Sequence, residues 1–139
     1  MVQFSVEVSG LEGALKQFDR IEDAEAAITD GLVRGAAKLV ETIQDKLGTA
    51  FPPASSAGEP PHLRTGALRR SVRIERVDPL EVTISAGGAG TLVPYAEYLE
   101  FGTSQMEPRP YFLNTVIDVL PILGRIMQDT LNRYLEKVL

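Results

Sequence analysis

Residues 24–47 read AEAAITDGLVRGAAKLVETIQDKL. Within this stretch Ile28, Leu32, Ala36, Leu39, Ile43 and Leu47 recur at intervals of 4, 4, 3, 4 and 4, which lines them up on one face of an α-helix. At 1.5 Å per residue the helix spans about 36 Å, the breadth of a small domain, so the other elements must be arranged along it. Gly31 and Gly35 stand one turn apart inside it. Each costs about 1 kcal/mol relative to alanine, and the pair predicts a second helix crossing closely over that face. Gly48 then stops the helix.

Upstream, Val2, Phe4, Val6 and Val8 alternate with polar neighbours, the period of a half-buried strand. Ser9 and Glu12 have the spacing of a capping box, and Leu11, Leu15 and Phe18 predict a short helix ending near residues 19–21. Downstream, residues 48–64 contain Pro52, Pro53, Pro60 and Pro61 with Ser55, Ser56 and Gly58, a composition that reads as an exposed irregular loop. Thr65 is placed to cap a helical turn through Ala67, Leu68 and Arg69. A strand over 71–77, a turn at Asp78-Pro79 and a second strand carrying Leu80, Val82, Ile84 and Ala86 predict a hairpin.

Residues 87–94 form a second loop, opened by Gly87, Gly88 and Gly90. Neither a following lysine nor a complete nucleotide fingerprint accompanies these glycines. Residues 94–102 read as a short helix closed by Gly102, and 103–109 as a third loop. Pro110 is suited to the first turn of a last helix, in which Leu113, Ile117, Leu120, Gly124, Met127, Leu131, Tyr134 and Val138 alternate spacings of 4 and 3. That stripe suits packing along another long helix, with a kink expected at Pro121. The expected fold is one α+β domain over 1–139: a small three- to four-stranded antiparallel or mixed sheet against two long helices, with short N-terminal and middle helices.

With 139 residues, one domain and one core are expected. Absence of cysteine excludes a thiol nucleophile, a disulfide or a thiolate zinc site, and His62 is the only imidazole, so no histidine metal cluster forms within one copy. No signal peptide or membrane span is expected, because the longest apolar run is only a few residues. The net charge of −5 argues against broad adhesion to nucleic acid. It is unevenly spread: residues 1–50 carry −4, residues 51–76 carry +3 and residues 77–139 carry −4.

Chemistry-bearing constellations are sparse. His62 beside Arg64 and Arg69 could serve as the base of a phosphodiester cleavage, but its setting between prolines and leucine reads as a loop histidine. Glu97 and Glu100, three apart, read as a solvated helix face rather than a metal site. Ser71 and Ser104 lack a nucleophile elbow. The basic segment Arg64, Arg69, Arg70, Arg73 and Arg76 is more informative, because guanidinium forks suit phosphate or another protein's carboxylates. Stacking aromatics are missing from it.

Three segments carry a resemblance: Pro60-Pro61-His62-Leu63-Arg64-Thr65-Gly66-Ala67-Leu68-Arg69-Arg70-Ser71, then Tyr95-Ala96-Glu97-Tyr98-Leu99-Glu100-Phe101-Gly102-Thr103, then Pro108-Arg109-Pro110-Tyr111-Phe112-Leu113. In this order the chain resembles the tail-component or tail-completion family of tailed bacteriophages, encoded between head and tail genes. The resemblance implies a non-enzymatic virion protein at the neck or tail end, made in the host cytoplasm and needing no cofactor. Expected partners are copies of itself in a sixfold ring, the head connector, and the tail tube or tail terminator. DNA would pass only as cargo and no membrane is involved. Its landmark positions would be Leu63, Arg64, Thr65, Gly66, Leu68, Tyr95, Tyr98, Glu100, Phe101, Gly102, Thr103, Pro108, Arg109 and Pro110, with Arg69, Arg70 and Arg73 joining them from the basic segment as assembly residues.

Physical roles for these positions follow. Phe101 is expected to bury against the sheet, Pro108 and Pro110 to stiffen the approach to the last helix, and Arg109 to pair with Glu100 or Glu97. An arginine patch meeting a neighbour's acidic helix would close a ring and would weaken with salt. The alternative function is a small phosphate- or RNA-binding protein or ribonuclease using His62 and the arginines of 64–76. A cellular adaptor is a further rival.

Overall fold

The 24–47 pattern becomes α1 (Ile21–Lys46), and every position of its apolar series is buried, from Ile28 to Leu47 just past its end. Around it, the computed structural model describes residues 1–9, 21–88 and 93–138. The order is β1 (Val2–Glu7), α1, α2 (Ala67–Ser71), β2 (Arg73–Asp78), β3 (Glu81–Ala86), α3 (Ala96–Phe101) and α4 (Leu113–Val138). Among the described residues the fold is α+β, a three-stranded antiparallel sheet with two long and two short helices. The expected helix after Ser9 and residues 89–92 of the glycine loop lie outside the described residues.

The strands run in the order β1-β3-β2. In β3, Val82, Ile84 and Ala86 join the core beneath α1. Its alternate residues Thr83 and Ser85 are buried as well, by polar neighbours: Thr83 against the Ser5 hydroxyl at 3.3 Å, Ser85 donating to Glu75 at 2.7 Å. The Glu75 carboxyl is held below its ordinary range by that hydroxyl and by Arg73. β2 carries a bulge between Ile74 and Arg76 and two ion pairs along its own length, Arg73 with Glu75 and Arg76 with Asp78. The strand starts at Arg73 rather than residue 71, because Ser71 ends α2 and its hydroxyl bonds back to Leu68. The hairpin turn is Pro79-Leu80; Leu80 adopts φ 62° instead of opening the strand.

The two glycines of α1 lie under α4. A methyl group on Gly31 would stand 2.8 Å from Met127 Sδ, and one on Gly35 would stand 3.2 Å from a methyl of Leu123. The glycines therefore serve a close helix crossing, as their spacing implies. The inward face of α4 differs from the expected stripe. In its first half Thr115, Val116 and Val119 are buried, whereas Leu113, Ile117 and Leu120 are exposed. The second half follows the stripe, with Met127, Leu131 and Tyr134 packed against Ala24 and Ile28 of α1. A straight helix drifts about 20° per heptad from a seven-residue repeat, so one such stripe cannot stay inward along 26 residues. Pro121 lies inside α4 without splitting it, and Pro110 precedes the helix instead of opening it.

Tyr111 and Phe112, both fully buried, anchor the start of α4. Their rings meet edge to face with centroids 6.4 Å apart, and the Tyr111 hydroxyl donates to the Ala96 carbonyl at 3.0 Å. Burial, and then the charges of Glu100 and Glu97, push the Tyr111 phenol well above its ordinary value. Because the folded state holds this proton more tightly than the unfolded chain, the associated stability is complete below about pH 10, the unfolded tyrosine value, and declines as pH rises past it. The difference between tyrosinate titrations of the wild type and Tyr111→Phe should thus show Tyr111 ionising only as the helical circular-dichroism signal collapses. Reversible ionisation near pH 10 in the folded protein would contradict this.

Candidate functional site

The three segments that carry the resemblance meet in space. They form most of the wall of one open cleft of about 660 Å³, which the 48–64 loop completes. From that loop come Phe51, Ser55 and His62; from α2, Leu68 and Arg69; from α3 and its approach, Tyr95, Tyr98 and Leu99; from the 103–109 loop, Thr103, Met106 and Arg109.

Local chemistry explains each wall. Leu63 pairs with the chain just beyond α1: its N–H donates to the Thr49 carbonyl at 2.6 Å, and its carbonyl accepts from Phe51 N–H at 3.0 Å. This brings Arg64 over the Phe51 ring, 4.4 Å from its centroid, a cation–π contact. Thr65 is close to the expected cap: its hydroxyl accepts from Ala67 N–H at 3.2 Å, while Gly66, in the left-handed region, occupies the cap position itself. Arg70 turns back to donate to the Thr65 carbonyl at 3.2 Å. Leu68 is buried, and Arg69 is exposed at the rim.

The opposite wall depends on Glu100. It is 4% exposed, so the reading of a solvated acidic face is corrected. Its Oε2 accepts from the N–H groups of Tyr111 and Phe112, both at 2.9 Å, and its Oε1 from Leu113 N–H at 2.8 Å. These donors lead into α4, where N–H groups have no partner within the helix and the dipole favours negative charge. Glu97 lies elsewhere, paired with the N-terminal amine of Met1. Arg109 therefore pairs with neither carboxylate. Its Nη1 donates to the Ser55 carbonyl and, at 2.6 Å, to the Ser55 hydroxyl, while its backbone N–H donates to Leu99 at 2.7 Å. Gly58 N–H adds a bond to the Pro108 carbonyl at 2.9 Å, so the two irregular loops hold each other.

Phe101 is 59% exposed. The expectation that it buries against the sheet is corrected: Glu100, one position earlier, takes the inward direction, and the ring is turned out. Gly102 follows at φ 75°, where a Cβ would lie 2.8 Å from the Met106 carbonyl oxygen and 2.9 Å from Pro108 Cδ. Thr103 and Met106 close the tight turn beyond it with reciprocal backbone bonds.

The arginines of 64–76 do not converge as one clamp. Arg64 and Arg69 line the cleft, Arg70 is turned to backbone, and Arg73 and Arg76 pair with acids on β2. His62 also lines the cleft, with Nδ1 2.6 Å from the Pro53 carbonyl oxygen. A carbonyl only accepts, so this nitrogen carries the proton. Phe51 and Met106 are cleft residues that the sequence reading did not single out; an aromatic immediately before two prolines in a polar loop was the available signal for the first. No protein-family model, curated protein or solved structure matches the chain.

Two substitutions test this construction. Glu100→Ala strands three backbone donors and should lower unfolding free energy by about 3 kcal/mol in urea titrations, with Glu100→Gln, which keeps one acceptor oxygen, losing less. Gly102→Ala forces a side chain into a left-handed backbone against a carbonyl oxygen. It should cost about 1–3 kcal/mol by the same measurement.

Proposed function

We propose that this chain is a non-enzymatic virion subunit of a tailed phage or prophage, a tail-completion or head–tail joining protein of the neck that acts by oligomeric assembly. The observation that supports it best is apolar surface left in water beside the landmark segments. Ile117 is 64% and Leu120 50% exposed on α4, and Tyr98 and Phe101 are similarly exposed on α3. Leu113, where the α4 stripe begins, donates its N–H to Glu100, the neighbour of Phe101, so α3 is tied to the start of the helix that carries the stripe. Contiguous exposed apolar surface marks interaction sites. A ring needs complementary surfaces on each subunit, and the stripe supplies one of apolar character.

In this reading the ring is sixfold, joins the head connector to the tail tube or terminator, and lets DNA pass as cargo. The alternative, phosphate or RNA handling by His62 and the arginines, is less well supported. Two of the five arginines of 64–76 are paired with acids on β2, and the cleft that holds His62 is walled mainly by apolar and aromatic side chains.

Light scattering on size-fractionated protein, followed by negative-stain electron microscopy at high concentration, should show closed rings alone or particles capping tail tubes. Ile117→Asp with Leu120→Asp should return the protein to monomers without loss of helical signal. A wild type that stays monomeric and leaves tube ends bare would overturn the proposal.

A further inference from the structure

The cleft has an unusual electrostatic character for this chain. Among the described residues, three arginines and one histidine line it, with no aspartate, glutamate or lysine, although the whole chain carries −5. Arg64 and Arg69 form no ion pair among the described residues. Beneath them the wall is apolar and aromatic, with Phe51, Tyr98, Leu99 and Met106. Aromatic residues, methionine and arginine in, lysine and acids out, is the composition of protein-recognition surfaces and their hot spots. The volume lies inside the usual range for binding clefts.

Both halves of the cleft constrain what can occupy it. A phosphate or an RNA backbone would engage the arginines and leave the apolar wall wet. A purely apolar segment would desolvate two guanidinium groups without a counter-charge, which is costly. Only an occupant with a large apolar side chain and adjacent carboxylates satisfies wall and rim together. We infer that this cleft is a docking site for an acidic segment of a partner protein, its apolar side chain seated against Tyr98, Leu99 and Met106 and its carboxylates paired by Arg64 and Arg69. This stands on the cleft alone and does not require the neck reading.

The test is fluorescence polarisation of a labelled heptapeptide, a leucine and a phenylalanine flanked by glutamates, titrated with the full chain. Two control peptides replace every glutamate by glutamine or by lysine. Binding of the acidic peptide is expected, at least tenfold weaker for the glutamine form and undetectable for the lysine form. Arg69→Gln should weaken it about fivefold, near 1 kcal/mol, and added salt should do the same. Arg64→Gln should act in parallel; because Arg64 also stacks on Phe51, the exposed Arg69 is the decisive variant. Tyr98→Ala should weaken binding while leaving its salt dependence unchanged.

Equal binding of all three peptides, no binding at millimolar protein, or an affinity untouched by Arg69→Gln would overturn the inference. So would displacement of the peptide by a short oligouridylate at lower concentration, which would assign the cleft to nucleic acid. Self-association abolished by Arg69→Gln, with no peptide binding, would assign it to a second copy and overturn it equally.

Discussion

Three backbone N–H groups converge on the carboxylate of Glu100, and the shape of the cleft depends on that convergence. The short helix that supplies the carboxylate is six residues long, too short to hold its place by its own hydrogen bonds. It is fixed by giving α4 the acceptor that the start of a long helix lacks. The Tyr111 hydroxyl, bonded back to Ala96, closes the same joint from the other side. With α3 locked to α4, Tyr98 and Leu99 face the cleft and Phe101 is turned to solvent. Arg109 is held over Ser55, so the wall opposite α2 is built from a hydrogen-bond network as much as from apolar packing.

Much of the framework was legible in the sequence because it rests on local periodicity. The α1 series needs only the 3.6-residue repeat, and the paired glycines announce a close crossing since nothing else compensates for their weak helix propensity. The hairpin follows from alternation flanking Asp78-Pro79. What was not legible depends on distant partners or on phase. In α4 two neighbouring stripes are apolar, one through Val116 and Val119 and one through Ile117 and Leu120, and periodicity alone does not choose between them. The choice is made by Tyr111 and Phe112, whose burial sets the rotation at which the helix begins.

Glu100 shows the same limit from the side of charge. A glutamate three residues from another on a short helix reads as solvated, and only its contact with a segment eleven residues later makes it an internal cap. Arg109 was legible as a fixed point, standing between prolines, but its partner was not: Ser55 lies 54 positions away in a loop whose composition carries no pairing signal. The basic segment divides along the same line. Arginines that the sequence groups together are separated by the fold into a cleft set and a strand set, because α2 ends at Ser71 and the chain changes direction before Arg73.

That strand set has a consequence for crowded conditions. In the described sheet β2 is a border strand, bulged at its centre and carrying alternating guanidinium and carboxylate groups that neutralise one another along it. A border of this kind is a poor template for a foreign strand, since pairing would strip water from four charged groups and meet a distorted ladder. Fibril-like stacking through that side is thereby discouraged, whatever other surfaces bring copies together.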